Sequence, residues 1–183
     1  MILKTNIKKS LDFIYNLIGT KYGWWKKNDD MRYEEVPSYS INQQVPSINY
    51  IKKNSINCVG VINLMRRINN LTIPGSDNLN FKYPGGTYMW YKYLDKNNKL
   101  EKFDISFKYP RGTLLLRQYR NENKQGHVAV IYRANRINPT IIHALSDNPI
   151  PNKNKNEPGL IIEPLNKYSK LFTHICLPQN WLL

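Results

Sequence analysis

Apolar residues recur at helical spacing in two segments of the first half of the chain. In the first segment they are Leu11, Ile14, Tyr15 and Ile18. This spacing of i, i+3, i+4 and i+7 predicts a helix over 10–18, capped by Ser10 and ended by Gly19. In the second segment they are Val61, Ile62, Met65 and Ile68. They predict a helix that begins near Asn57 and ends at Asn69–Asn70.

A polar stretch separates the two predicted helices. Residues 26–55 contain Pro37 and Pro46, and we expect them to form a long insertion over the surface of one domain that spans 1–183. After the second helix, Pro-Gly-Gly at 84–86 predicts a turn. Thr87 would then cap a short aromatic helix.

The second half of the chain changes to short segments rich in Ile and Val, separated by turn residues. They predict five strands, over 113–119, 127–133, 140–145, 159–165 and 171–177. A mobile loop is expected between the third and fourth, at 148–159. Helices followed by an antiparallel meander are the pattern of an α+β domain.

Composition excludes several classes of protein. Hydrophobic residues make up 41% of the 183 positions and aromatic residues 12%, which is too apolar for a disordered chain. Two cysteines, Cys58 and Cys176, are too few for a disulfide-built scaffold or a cysteine-rich zinc site, although a bond between them stays open. No stretch predicts a membrane span or a signal peptide, so a cytosolic protein, one packaged in a particle and one released by lysis all stay open.

The net charge of +14 favours contact with anionic polymers, such as nucleic acid, anionic membrane surfaces or cell-wall polymers. The basic residues are scattered along the sequence, however, and no nucleic-acid-binding motif organises them. The charge is therefore expected to modify association with anionic polymers, and specific binding of nucleic acid is disfavoured. Any catalytic function has to come from other residues.

Cys58 is the candidate nucleophile because it stands where the second helix begins. The positive end of the helix dipole and free backbone N–H groups favour a thiolate there. The same N–H groups can stabilise an oxyanion. The alternative is the common role of a free cysteine, a small buried hydrophobic side chain.

Two histidines on neighbouring predicted strands are candidates for a base and its orienting partner. A hairpin centred on Asn135 pairs residues whose numbers sum to 270, which places His127 directly opposite His143 with Cβ atoms about 5 Å apart. Pro139 weakens this register, so a bulge is compatible with the sequence. Ordinary packing or hydrogen bonding of each histidine is the alternative.

Together, Cys58, His127 and His143 match the nucleophile, base and orienter of thiol catalysis. A zinc hydrolase with these three side chains as ligands is an alternative, but a thiol at a helix start favours nucleophilic use, and we predict no metal or cofactor. His174 and Cys176 share one face of the last predicted strand and form a second, weaker candidate pair.

Five segments resemble motifs of the NlpC-type cell-wall cysteine peptidases, a papain-like family. SINCVGVINLMRR (55–67) resembles the nucleophile helix, which commonly reads Asp-Cys-Ser-Gly. GHVAVIY (126–132) and TIIHALS (140–146) resemble the motifs that carry the family's histidine and its polar partner. LIGTKYGWW (17–25) and KYPRGTLLL (108–116) resemble the Gly-Thr-Pro-Tyr-x-Trp segment and the Pro-Gly-Asp-Leu entry to the first central strand. The segments follow the family's order.

The resemblance implies a papain-like α+β domain, with N-terminal helices packed on a central antiparallel sheet. It implies that Cys58 is the nucleophile, that His127 is the base and that His143 holds the imidazole. It also implies that Tyr22 helps to bind substrate near the nucleophile.

Asn57 and Val59 depart from the family pattern. They occupy the positions where Asp and Ser often recognise the free amine of a peptidoglycan stem peptide. Asn lacks the charge to pair with an ammonium, and Val offers no hydrogen bond. The predicted function is a thiol-dependent amide hydrolase acting on a cell-wall peptide or on another peptide, isopeptide or lipid amide. Acyl transfer by the same residues, a non-catalytic binding or virion structural module that retains the fold, and a nucleic-acid binder are the alternatives.

Overall fold

Helices precede a six-stranded antiparallel sheet in the computed structural model, which describes residues 1–26, 34–41, 44–76, 83–118, 126–135, 137–146 and 159–183. The helices are α1 (Ile2–Tyr15), α2 (Ile48–Lys53), α3 (Cys58–Arg67) and α4 (Thr87–Lys96). The strands are β1 (Glu101–Lys102), β2 (Leu114–Arg117), β3 (His127–Arg133), β4 (Thr140–Ala144), β5 (Leu160–Pro164) and β6 (His174–Cys176). Two 3-10 helices follow β5 and β6, at Leu165–Leu171 and Pro178–Asn180.

The sheet has the strand order β1-β6-β2-β3-β4-β5. The predicted meander is confirmed for β2 to β5, and the α+β architecture is confirmed with it. The last strand, β6, does not extend the meander but returns to pair with β2. The edge strand β1 is only two residues long and was not predicted.

Apolar residues are buried on both faces of the sheet. Helix α3 packs on β3 and β4, and α1 packs on α3, so the main core lies between helices and sheet. Val128 and Val130 face this core, whereas Ala129 and Ile131 belong to a second cluster on the opposite face. The strict alternation of β3 therefore places apolar side chains in both layers.

Helix α1 begins at Ile2, eight residues before the predicted start. Leu3 and Ile7 extend the apolar stripe towards the N-terminus and pack against the core. Ser10 is therefore not a cap; it is buried within the helix, and its hydroxyl donates a hydrogen bond to the Met65 carbonyl of α3 (3.3 Å). No described helix has the length and apolar character needed to cross a membrane.

Part of the segment predicted as a surface insertion, 26–55, packs into the core. Tyr39 and Ile51 are fully buried, and residues 48–53 form helix α2. The Pro37 carbonyl accepts a hydrogen bond from the Asn57 N–H (3.1 Å), and a Cβ on Gly60 would lie only 2.4 Å from that carbonyl oxygen. Gly60 therefore lets this segment pack directly on the first turn of α3.

Two smaller predictions can be compared with the structure. The aromatic helix is present as α4, but Gly86 occupies its N-cap position and Thr87 is its first helical residue. The predicted loop at 148–159 lies, apart from Gly159, outside the described residues.

Replacing Asn63 by alanine is expected to lower the free energy of unfolding by about 3 kcal/mol, because three buried groups lose their partner. Its side-chain amide donates to the carbonyls of Ser38 (2.8 Å) and Gly85 (3.2 Å) and accepts from the Trp90 indole N–H (2.8 Å). Urea denaturation measures the change. The control is Asn97→Ala, which removes an exposed side-chain hydrogen bond at the end of α4 and should cost at most about 0.5 kcal/mol. Equal effects of the two variants would contradict this role of Asn63.

Candidate active site

Helix α3 begins at Cys58, as the sequence predicts. Asn57 has an extended backbone and caps the helix, since its side-chain oxygen accepts a hydrogen bond from the Gly60 N–H (2.8 Å). Tyr22 is held next to this turn because its backbone forms a parallel bridge with Ile56. Local capping chemistry and one backbone bridge therefore place Tyr22 beside the candidate nucleophile.

Cys58 lines a cavity of about 1070 Å³, although its side chain is only 8% exposed. Burial raises the pKa of the thiol, and the backbone N–H groups of Val128, Val59 and Cys58 itself lower it by less. The thiolate expected from the helix start is therefore not the favoured form in the resting protein. Desolvation of a nearly buried sulfur outweighs the backbone dipoles.

The two histidines meet, but in a different register from the predicted one. In the β3–β4 pair, Val130 is opposite Ile142 and Ile131 is opposite Ile141, so residue numbers sum to 272. A shift of two keeps both histidines on one face and makes them diagonal neighbours. His127 Nε2 lies 3.1 Å from His143 Nδ1, within hydrogen-bond distance. A register irregularity follows Ile131, near the position where a bulge was expected.

Aromatic rings surround the histidine pair on the face of the sheet opposite α3. The Phe172 ring stacks on His127 at a centroid distance of 6.2 Å. The Tyr168 ring meets His143 edge-to-face at 4.8 Å. His143 is fully buried, and its Nε2 atom has no hydrogen-bond partner among the described residues. These contacts hold both imidazoles between the sheet and the 3-10 helix at Leu165–Leu171.

Both imidazoles are neutral at pH 7. Burial lowers the pKa of His127 well below its usual value, and the neighbouring His143 and Arg117 lower it further. Burial lowers the pKa of His143 to about 4. The resting site therefore contains a neutral thiol and two neutral imidazoles.

His143 should make the folded protein less stable in acid. Its pKa of about 4 is below the ordinary value of 6.5, so the unfolded chain takes up this proton first as the pH falls through that window. We expect this group to lower the free energy of unfolding by about 3 kcal/mol between pH 7 and about pH 4. Denaturation of wild type and His143→Asn at several pH values measures the difference. A wild-type curve parallel to that of the variant would contradict the burial of a neutral His143.

Cys58 and His127 line the same cavity, but no hydrogen bond among the described residues joins the Cys58 sulfur to either imidazole. Cys58 begins a helix on one face of the sheet, whereas the histidine rings lie towards the other face. The Val128 N–H, one residue after His127, interacts with the sulfur. The structure thus pairs the two histidines directly and brings the thiol to the backbone of β3.

Tyr22, Asn57 and Val59, which stand at the family's substrate-recognition positions and were the candidate substrate-binding residues, all line the cavity. Asn57 and Val59 are each only 1% exposed, and the Asn57 oxygen is already engaged in the helix cap. Trp24 is 66% exposed and packs edge-to-face on Tyr22 at 5.3 Å. The accessible part of this wall is therefore largely aromatic.

Two further residues of the cavity were missed in the sequence, Arg117 and Tyr168. Arg117 pairs with His127 across β2 and β3. Hairpin arithmetic from the predicted strands at 113–119 and 127–133 centres the loop on residue 123 and pairs 119 with 127, so it places Arg117 on the same face as His127 but as a diagonal neighbour. Tyr168 carried no comparable signal, since it belongs to a 3-10 helix that only tertiary packing positions.

The weaker candidate pair lies away from this cavity. Cys176 is fully buried in the main core, and His174 contacts the Thr173 hydroxyl (2.9 Å) and the Tyr91 ring. Cys58 and Cys176 are both free thiols, so the disulfide that the sequence left open is not formed. Among the described residues, no three His, Cys, Asp or Glu side chains are arranged to bind a metal ion, which gives the zinc alternative no support.

Comparison with known proteins provides no family for this chain. No protein-family model matches it, and no curated protein matches it in sequence. The NlpC-type resemblance therefore stays a prediction that depends on the five motifs.

Proposed function

We propose that this protein is a thiol-dependent amide hydrolase with a papain-like, NlpC-type site and a Cys-His-His triad of Cys58, His127 and His143. The observation that carries the proposal is the 3.1 Å contact between His127 Nε2 and His143 Nδ1 at a cavity that Cys58 and His127 both line. A buried imidazole pair at a cavity that a helix-start thiol also lines matches the chemistry of a base, its orienting partner and a nucleophile.

His127 acts as the base through Nδ1. With its proton on Nε2, the ring donates to His143 Nδ1 and leaves its own Nδ1 as an acceptor. Because the thiol and the imidazole are both neutral at rest, proton transfer accompanies the attack of the sulfur on the carbonyl carbon. This contrasts with a site that stores a preformed thiolate–imidazolium pair.

The remaining steps use groups at the start of α3. The tetrahedral oxyanion is stabilised by backbone N–H groups there, those of Cys58 and Val59. The His127 imidazolium protonates the departing amine, which leaves a thioester on Cys58. Water, deprotonated by His127, then hydrolyses the thioester and restores the thiol.

Substrate binding has to close the remaining gap between thiol and base. No hydrogen bond joins the Cys58 sulfur to His127 in the structure, and hydrogen bonds of this kind often tighten only in the substrate complex. A rotation of the Cys58 or His127 side chain is the movement that the mechanism requires.

The substrate differs from that of the family because it does not need a free amine. The Asn57 oxygen caps the helix and Val59 is apolar, so this pair has no acceptor to offer a free amine. A peptide, a cell-wall peptide, an isopeptide and a lipid amide all remain compatible with the cavity. The charge of +14 favours attachment to an anionic polymer that carries such a substrate.

An acyl-trapping experiment tests this function. The protein is mixed with para-nitrophenyl acetate at pH 7, nitrophenolate release is followed, and the adduct is located by mass spectrometry of the intact protein and its peptides. We expect a burst of nitrophenolate, an acetyl group on Cys58 and slower turnover. Cys176 is the internal control, since it is fully buried and should stay unmodified. Absence of an adduct on Cys58 would favour the non-catalytic binding module.

Turnover in the presence of acceptors separates hydrolysis from acyl transfer. Release of acetate in water alone supports the hydrolase. Turnover that begins only when an amine acceptor is added would identify an acyltransferase that uses the same residues.

A further inference from the structure

We infer that the cavity binds an acyl donor that carries a carboxylate near its scissile bond, and that Arg117 is the group that binds this carboxylate. The inference rests on the proposed function, since it assigns a substrate class to the same site.

Arg117 is placed next to the reacting groups by the register of the sheet. It is the last residue of β2 and lies directly opposite His127 on β3, so both side chains leave the sheet on the same face. Its side chain lines the cavity, and its positive charge lowers the pKa of both Cys58 and His127. An anion bound to Arg117 would therefore lie close to the acyl carbon under attack.

Among the described residues, none pairs with the Arg117 guanidinium. It forms no ion pair or hydrogen bond with the described residues, and the residue is exposed. Arginine has a planar set of donors that fits a carboxylate through two parallel hydrogen bonds. By contrast, Lys167, which also lines the cavity, is already paired with Glu163 at 3.4 Å.

The charge of the cavity also favours an anion. Arg117, Lys167 and Lys170 line it, whereas none of its described lining residues is acidic. An ammonium group on the substrate would be repelled by this set of charges, and the Asn57 side chain offers it no carboxylate. The site is therefore matched to the opposite charge from the amine that the family's Asp position recognises.

A bound carboxylate would also assist the base. Arg117 disfavours the protonated form of His127, which has to accumulate as the sulfur attacks. A carboxylate paired with Arg117 offsets that positive charge, so His127 becomes a stronger base when the matching substrate is present. Substrate binding and activation of the base are thus coupled through one side chain.

A matched pair of esters tests the inference. The probes are mono-para-nitrophenyl glutarate, which has a free carboxylate, and para-nitrophenyl methyl glutarate, its neutral methyl ester. The second-order rate constant for acylation of Cys58 is measured for each at low salt. We expect the carboxylate ester to react about 10-fold faster or more, and Arg117→Gln to reduce this ratio to about 1.

The ratio of the two acylation rate constants separates recognition of the carboxylate from a general loss of Cys58 reactivity, because a change in the acidity of Cys58 affects both rate constants alike. The matched control is Arg133→Gln, which removes the same charge from the far end of β3, outside the cavity, and should keep the wild-type ratio. Equal acylation of the wild type by both esters would overturn the inference and leave the hydrolase proposal intact. Acylation of Cys58 by neither ester would overturn both.

Discussion

Replacing Cys58 by alanine is expected to abolish ester and amide hydrolysis, with a loss in rate of about 10⁴-fold or more, because no other thiol among the described residues lines the cavity. The matched control is Cys176→Ala. Cys176 is the second cysteine of the chain, is fully buried in the core and does not line the cavity. This control should keep wild-type activity and lose only the stability that a small core cavity costs, about 1 kcal/mol.

Steady-state rates, intact mass after acylation and thermal unfolding together decide this prediction. The Cys58→Ala variant should stay folded and lose about 1 kcal/mol of stability, as Cys176→Ala does, because the removed sulfur is nearly buried and contacts the Val128 N–H. Residual hydrolysis close to that of wild type in a folded Cys58→Ala variant would disprove covalent catalysis by this thiol.

His127→Ala is expected to reduce the acylation rate by about 10³-fold or more, since the neutral thiol loses the base that takes its proton. The shape of the pH profile identifies this role. Wild type should keep its rate down to well below pH 6.5, because His127 remains neutral there. The variant's rate should instead rise with pH to above pH 9, following the thiolate of Cys58, whose pKa burial raises.

The third histidine provides the control for His127→Ala. His174→Ala removes an imidazole from β6, away from the cavity, and should leave both the rate and the pH profile unchanged. A His127→Ala variant with the wild-type profile would show that another group serves as base.

The helices and strands were predictable where a short apolar pattern determines them. The start of α3 follows from an N-cap and an apolar stripe that are both local, and β3 follows from a run of β-branched residues. The full burial of Tyr39 and Ile51 within the segment predicted as a surface insertion was not predictable, because the segment is mostly polar. Their burial depends on a core built from residues along the whole chain, which no local pattern encodes.

The sequence predicts that the two histidines lie close together on one face of the sheet, but it gives the wrong strand register for them. Strand alternation has a period of two, so any shift by two keeps His127 and His143 on one face, and the sequence was sufficient for that. The loop and the irregularity after Ile131 decide which residues are opposite, and they replace a direct pair by a diagonal one. His127 Nε2 and His143 Nδ1 are still within hydrogen-bond distance, because an imidazole ring is long enough to reach a diagonal neighbour on the adjacent strand.

The amino-acid sequence was sufficient to establish the α+β class, the helix that starts at Cys58 and the shared strand face of two histidines, because capping, periodicity and alternation act over a few residues. Tertiary structure alone decided the protonation of the site and the shape of its cavity. Burial, which keeps the thiol and both imidazoles neutral, comes from side chains that are distant in the sequence. The approach of Phe172 and Tyr168 to those imidazoles likewise depends on a 3-10 helix that packs across the sheet.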